Sequence, residues 1–296
     1  MISNYLEILI LSIVQGISEF LPVSSSAHLI IFSNIINFSN NSLIFDVGLH
    51  LGSLLAILFY FRKELLNILN DKKLFNLLLI GSIPLILFGY IFYTTGIINS
   101  FRNLKIIAWT TLIFGLLMYF SDTFKIKKKI EKDLTIKNIL IIGVMQILAI
   151  IPGVSRSGIT ITAGRFLNFD RYDSTKISFY LSIPALMGAS VLSLKDAVNE
   201  NIEFNFFLII SIILSFIFSY LTIKYFLIYT KKFSLKFFVI YRVVLSIIIF
   251  SLEGVIATLA AWIILSQYLN VNNVLGCIFI IIGVIFSQIM PEIKKN

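Results

Sequence analysis

The sequence predicts an all-α, polytopic membrane protein built from two inverted repeats with re-entrant helix hairpins. Three observations lead there. The 296 residues are 58% hydrophobic and 13% charged, against ~25% charged in soluble domains, with a mean hydropathy of +0.96. The apolar residues gather in long runs, some reaching the ~20 residues that span a bilayer, and 28 Phe and 12 Tyr suit lipid-facing sides and interfacial belts. Finally, one pattern occurs twice: a short apolar helix, a proline, a serine-rich loop, a second short helix and then a long span.

Composition also excludes function classes. The net charge of +9 does not indicate nucleic acid, because the lysines sit in short loops between apolar spans, as the positive-inside rule requires. The single cysteine, Cys277, lies in an apolar run and reads as an inert buried thiol. It allows no intramolecular disulfide and no cysteine metal site. The first residues lack a basic n-region and a small-residue cleavage site, so this segment is expected to be retained.

In chain order, Tyr5–Leu21 is an apolar helix stopped by Pro22, and Ser24–Ser26 cap a second short helix over about Ala27–Ile36. Each piece is too short to span. Two short helices around a polar loop predict a re-entrant hairpin, which a membrane tolerates only where the backbone lines a cavity or packs in protein. Asn37–Ser42 is a polar link. Leu43–Phe61 is a span with Asp46 and His50, one turn apart, in its first turns, where they read as a local pair. Arg62, Lys63, Lys72 and Lys73 are expected to form a basic loop. Leu74–Tyr93 and Leu104–Phe120 are two further spans, and Lys125–Lys137 is the most basic loop. Both basic loops are expected to be cytoplasmic.

The second copy starts at Asn138. Ile139–Ile151 ends at Pro152, Gly153–Ser157 is the loop, Gly158–Leu167 the short helix and Ser174–Leu194 the span. Gln15 and Gln146 are 131 residues apart, as are Ser24–Ser26 and Ser155–Ser157. An odd number of crossings in the first copy inverts the second, a plan shared with many transporters. Asp170, Arg171 and Asp173 read as a solvated helix start. Asn205–Tyr229 and Phe237–Phe250 complete the copy, the latter carrying Tyr241 and Arg242. Gly254–Tyr268 and Val274–Ile289 are two more apolar helices. The organisation is therefore a membrane domain over 1–251, with repeats at about 1–121 and 138–251, and a two-helix extension over 252–296.

Ionisable groups at membrane depth are costly, roughly 2.5–3.5 kcal/mol each on insertion scales, so they mark working sites. The stretch Val14–His28 holds Gln15, Glu19, Ser24, Ser25, Ser26 and His28. Gln15 and Glu19 are four apart, on one helical face, and supply hard oxygens suited to Mg²⁺ or Ca²⁺. The serines stand at a helix N-terminus, a ready anion site. His28 can move a proton near neutral pH. The stretch Ile151–Arg165 adds a positive charge: Arg156, between Ser155 and Ser157, can grip phosphate as a fork. Gly153 lets the backbone approach an anion, and Thr160 lies on the first turn beyond. Metal ligands, hydroxyls, a histidine and an arginine together fit phosphoryl transfer, where catalysis is mostly positioning and charge stabilisation. Glu7 and Glu253 receive no role.

At these two stretches the sequence resembles the undecaprenyl-diphosphate phosphatase family of the bacitracin-resistance type. That family carries an [E/Q]xxxE motif running into a PxSSxxH loop, and a PGxSRSGxT loop. Here they stand as Gln15-Gly-Ile-Ser-Glu19, Pro22-Val-Ser-Ser-Ser-Ala-His28 and Pro152-Gly-Val-Ser-Arg156-Ser-Gly-Ile-Thr160. FDVGLHLGS, DRYDSTKISFYLSIPALMGAS and FVIYRVVLS also look like family segments, and the resemblance covers about Met1–Phe250.

The resemblance implies interlocked inverted repeats and hydrolysis of undecaprenyl diphosphate to undecaprenyl phosphate and phosphate. This recycles the carrier for peptidoglycan and other envelope polymers and confers bacitracin resistance. It implies Glu19 and Gln15 as ligands of a divalent metal, and Ser25 as nucleophile in preference to His28, which moves the proton. Arg156 binds the diphosphate with Ser155, Ser157 and Thr160 around it. Gln at position 15, where the family takes Glu or Gln, removes one negative charge from the metal site. The expected partners are a polyprenyl diphosphate lipid and the membrane, with a homodimer allowed. The expected location is the bacterial cytoplasmic (inner) membrane, with the site open to the periplasm.

The stretch from Glu253 to Gln288 resembles the last two helices of an EamA-like transporter. A transporter or flippase is the rival reading, because broken helices in inverted repeats also serve transport. A non-catalytic membrane assembly factor is a third. Ser25 with His28 and the Gln15/Glu19 pair separates them: transport needs a binding site but no nucleophile beside a base.

Overall fold

The computed structural model describes residues 2–35, 42–126, 128–199 and 206–263, together with residues 272, 275 and 276. Cys277 and most of the expected two-helix extension lie outside the described residues. The described chain is all-α. Apart from the four-residue helices Ile97–Ser100 and Ile130–Asp133, five described helices precede the basic link: α1 (Ile2–Ser18), α2 (Ser25–Ile35), α3 (Ser42–Asn70), α4 (Lys72–Thr94) and α5 (Leu104–Asp122). Five follow it: α6 (Ile136–Ile147), α7 (Arg156–Phe166), α8 (Arg171–Asn199), α9 (Phe206–Lys232) and α10 (Lys236–Ile263). The second helix of each set has 11 residues and the third has 29. The repeat read from the serines thus extends to element order and length.

Among the described residues, α4, α5, α8 and α9 are long and apolar enough to cross a membrane. The apolar parts of α1 and α6 are shorter. The first helix of each set packs against the fourth of the other, α1 on α9 and α6 on α4, while α3 lies along both α8 and α9. The two halves therefore interlock.

Helix α9 shows the physics of these contacts. Ile209, Ile213, Ile217 and Leu221 form an exposed stripe, whereas Ser211, Ser215 and Ser219 are buried. Lipid gives apolar side chains no reason to turn inward, so small residues that allow close approach take the interface. Across from them stands α3. A Cβ added at Gly48 would lie 1.8 Å from Ser211 Oγ, and one at Gly52 would lie 2.5 Å from the Ile212 carbonyl oxygen. Ser53 Oγ shares hydrogen bonds with Ser215 Oγ (3.1 Å) and Ser219 Oγ (3.0 Å). A Cβ added at Gly143 on α6 would lie 2.2 Å from the Gly81 carbonyl oxygen on α4.

Several expectations are corrected. Arg62 and Lys63 do not belong to a loop: α3 continues to Asn70, and the turn is Asp71 alone, whose side chain caps α4 by accepting from the Lys73 and Leu74 amides. The expected break between Phe250 and Gly254 is absent, because α10 runs unbroken to Ile263, so the division placed at 251/252 falls inside a helix. Asp170, Arg171 and Asp173 are not simply solvated. Arg171 Nε donates to Asp122 (2.6 Å), Asp170 pairs with Lys129 (2.8 Å), and Asp173 accepts from the Ile130 amide (3.0 Å). Buried Asp122 also faces Arg165 at 3.5 Å and accepts from the Leu235 amide. One carboxylate thereby joins α5, α7, α8 and the start of α10. Asp46 and His50 do form a local contact, His50 Nδ1–H donating to the Asp46 carbonyl oxygen at 2.8 Å.

Candidate active site

The two polar loops meet. Helix α1 ends at Ser18, and Leu21 to Ser24 turn the chain into α2. Helix α6 ends in a 3₁₀ turn over Leu148–Ile150, and Ile151 to Ser155 turn the chain into α7. The serine before each helix has the same unusual backbone, φ +76° at Ser24 and +71° at Ser155. A left-handed conformation costs a non-glycine residue roughly 1–2 kcal/mol. Each serine offsets part of this by capping: Ser24 Oγ accepts from the Ala27 amide at 3.4 Å and Ser155 Oγ from the Gly158 amide at 3.1 Å. Each also shares a hydrogen bond with the serine two residues on.

Cross-links then tie loop to loop. The Gly153 amide donates to Ser24 Oγ at 3.1 Å, and Ser157 Oγ donates to the Leu21 carbonyl oxygen at 2.7 Å. Gly153 has φ +91°, and a Cβ there would lie 2.1 Å from Thr110 Oγ1, so both conformation and space require glycine.

Arg242 completes the joint. It is fully buried on α10, and its guanidinium donates to four carbonyl oxygens: Pro22 (3.2 Å) in the first loop, Gly153 (2.8 Å) and Val154 (3.1 Å) in the second, and Thr111 (3.2 Å) on α5. Sequence reading gave it no role. The available signal was an arginine in the apolar run Phe237–Phe250, a charge at membrane depth without a nearby acid.

Glu19 is the hub of the hydrogen bonds at the cavity. Its Oε1 accepts from Arg156 Nη2 at 2.9 Å, and its Oε2 from Ser25 Oγ at 2.7 Å and Gln15 Nε2 at 3.1 Å. The Glu19 and Arg156 side chains are 10% and 11% exposed, so the pair is poorly screened. Arg156 Nη1 is anchored on the Ser178 carbonyl oxygen at 3.1 Å. A cavity of about 170 Å³ opens here, lined by Ser18, Glu19, Ser24–Ser26, Ser155, Arg156 and His50, with Ala149, Ala185, Leu186 and Ala189. Helices α2 and α7 both begin at this cavity, at Ser25 and Arg156, so the positive ends of two helix dipoles favour an anion here. A larger groove of about 450 Å³ between α1, α9 and α10 is walled by groups such as Ile17, Phe218 and Phe226. None of the loop serines lines it, whereas Ser24–Ser26 and Ser155 line the smaller cavity.

Of the expected site residues, Glu19, Ser24, Ser25, Ser26, Ser155 and Arg156 line the cavity. Gln15, Gly153, Ser157 and Thr160 stand behind them. Thr160 is buried and its hydroxyl serves Ser178 Oγ (2.7 Å) and the Arg156 carbonyl oxygen (2.8 Å). His28 is turned away. Its Nδ1 meets the Ser24 carbonyl oxygen at 2.6 Å and its Nε2 meets the Tyr241 hydroxyl at 2.6 Å, with the two rings stacked. A carbonyl only accepts, so in the neutral ring Nδ1 carries the proton and Tyr241 donates to Nε2. The group beside the Ser25 proton is Glu19 rather than His28. Tyr241 was a second residue without an assigned role.

Among the described residues no three His, Cys, Asp or Glu side chains gather as a metal cluster. Gln15 Oε1, however, is buried without a hydrogen-bond partner, while Nε2 of the same amide donates to Glu19 Oε2 at 3.1 Å. Two protein oxygens fit a hard cation that takes its other ligands from water and phosphate, as Mg²⁺ commonly does.

A family profile described as "Bacitracin resistance protein BacA" matches residues 8–248. A protein of Pelagibacter ubique named undecaprenyl-diphosphatase is 61% identical over 251 residues, covering 84% of this chain and 98% of the relative. Proteins of the same name are 38% identical in Alcanivorax borkumensis, over 76% of this chain and 89% of theirs, and 41% identical in Elusimicrobium minutum, over 75% and 88%. The EamA-like resemblance of the tail is not borne out; the matched family region ends at residue 248.

Proposed function

The chain belongs to the BacA bacitracin-resistance family, and we propose that it hydrolyses undecaprenyl diphosphate to undecaprenyl phosphate and phosphate. The observation that carries the reading is the Ser25–Glu19–Arg156 constellation at the mouths of two helices. A hydroxyl donating to a carboxylate is an activated nucleophile, and a guanidinium beside it is the group that grips phosphate.

Glu19 Oε2 takes the proton as Ser25 Oγ attacks the terminal phosphorus. The bridging P–O bond breaks and undecaprenyl phosphate leaves. Arg156 and the first-turn N–H groups of α2 and α7 hold the charge that develops on the phosphoryl oxygens. Water then attacks the phosphoserine phosphorus, the Ser25 Oγ–P bond breaks, the Glu19 proton returns to Ser25 Oγ, and inorganic phosphate leaves carrying the oxygen and both protons of the water. Ser24, Ser26 and Ser155 surround the phosphate, while Gly153, Ser157 and Thr160 hold the second loop in place. Gln15 and Glu19 would hold Mg²⁺ or Ca²⁺, which when bound neutralises diphosphate charge. His28, paired with Tyr241, fixes the start of α2.

The same reading takes the two five-helix sets as inverted repeats with re-entrant hairpins, and the residues beyond 251 as an appendage. It places the protein in the cytoplasmic (inner) membrane with the cavity open to the periplasm. The long polyprenyl chain lies in the bilayer, and a homodimer is compatible with this arrangement.

The test is phosphate release from undecaprenyl diphosphate by purified protein in detergent with Mg²⁺, beside a Ser25→Ala control. Release by the parent and none by the control is expected. No release from folded parent protein would overturn the activity, and undiminished turnover in EDTA would remove the metal.

A further inference from the structure

Beyond Ser18, Glu19, Ser24–Ser26, Ser155 and Arg156, the cavity is lined by Ala149, Ala185, Leu186, Ala189 and His50. Four are apolar, and His50 alone of these five can hydrogen-bond. Its orientation is fixed by packing. Gly48 and Gly52 sit flush against α9, where added Cβ atoms would collide with Ser211 Oγ and the Ile212 carbonyl oxygen. Position 50 lies about 200° around the helix from both, on the opposite face, which is the face turned to the cavity. The ring is fixed as well, since Nδ1–H donates to the Asp46 carbonyl oxygen at 2.8 Å. Nε2 is thereby the nitrogen left for a ligand, and it makes no hydrogen bond to the described residues. The charged groups near this turn are Asp46, within electrostatic reach of both His50 and Arg102, and the Glu19–Arg156 pair across the cavity.

We infer that His50 is a phosphate contact of this cavity, its Nε2 hydrogen-bonding the terminal phosphate of the diphosphate from the α3 side while Arg156 holds it from the second loop. A neutral ring accepts from the P–OH of a monoprotonated phosphate, and a protonated ring donates to a phosphoryl oxygen. Either state makes the contact, so the role is positioning by hydrogen bond rather than proton transfer. The inference rests on the Ser25-centred reading of the site.

The experiment compares parent, His50→Leu and His50→Gln in detergent, reading KM and kcat for undecaprenyl diphosphate and the inhibition constant for inorganic phosphate. His50→Leu is expected to raise KM and the phosphate inhibition constant about tenfold each, the effect of one hydrogen bond to a charged group, with kcat within about threefold. His50→Gln, which keeps a hydrogen-bonding end of similar reach, is expected to recover most of the loss. A purely structural role would not move the phosphate constant selectively. Parent-like constants in His50→Leu overturn the inference. So does a collapse of kcat in both variants with KM unchanged, which would mark a proton carrier. Ser25→Ala separates the two readings: release that persists in it breaks the site assignment, whereas loss there beside a parent-like His50→Leu breaks only the histidine contact.

Discussion

The first and second loops share a backbone and differ in chemistry. Ser24 and Ser155 have φ values within a few degrees of each other, cap their helices in the same way and bond to the serine two residues on. At the positions between and around them the copies part. Ser25 matches Arg156, Glu19 matches Ile150 and His28 matches Ile159, each 131 residues apart. The nucleophile and the phosphate grip of the proposed reaction therefore occupy one and the same place in two copies. Both bond to the single carboxylate Glu19. A duplicated scaffold supplies two helix mouths facing one cavity, and unlike residues at like positions make the cavity a site.

The largest expected effect comes from erasing the difference. Ser25→Ala should lower phosphate release about 10³-fold or more without changing the melting temperature in detergent. The exchange S25R/R156S keeps an arginine beside Glu19 and should be equally inactive; turnover in it would make the two loops interchangeable. Next is Arg156→Lys, which keeps charge but loses the fork and should cost about 10²-fold in kcat/KM. Arg156→Ala should in addition lower unfolding free energy by about 3 kcal/mol, because a largely buried Glu19 loses its partner. Chemical denaturation in micelles reads that difference.

Removing the shared clamp tests the scaffold rather than the chemistry. Arg242→Met should cost about 3 kcal/mol of stability as its carbonyl acceptors lose their donor, and a parent-like denaturation midpoint would show that the loops hold each other unaided. The smallest effects are at the caps. Ser24→Ala and Ser155→Ala should each cost about 1 kcal/mol. The glycine substitutions should cost less, since glycine takes positive φ freely. Equal costs for alanine and glycine would mean that the left-handed backbone carries no strain.

Much of this site was legible in the sequence because its parts lie in two short stretches with a fixed offset. Pro22, Pro152, the Ser24–Ser26 triplet and the Ser155-Arg156-Ser157 loop announced the broken helices, and a carboxylate in an apolar run marked a candidate site. What escaped has a common cause. Arg242 and Tyr241 lie far along the chain, and their contacts, backbone carbonyls and a histidine facing away from the cavity, leave no local spacing to read. His28 was expected to move the proton for Ser25, but its ring is committed to Ser24 and Tyr241. The basic loop at Arg62 failed because composition marks an interface and not a helix end; α3 carries its cations through it. The break after Phe250 was placed where the family resemblance ends, and the α10 backbone runs on through it.

The guanidinium of Arg242 reaches main-chain oxygens only. A lock of that kind does not register which side chains the locked loops carry. Ser25 could become arginine in one copy, or Arg156 serine in the other, and the joint would close as before. The Arg242 lock and the chemistry are thus separable, since that lock asks nothing of the side chains at positions 25 and 156.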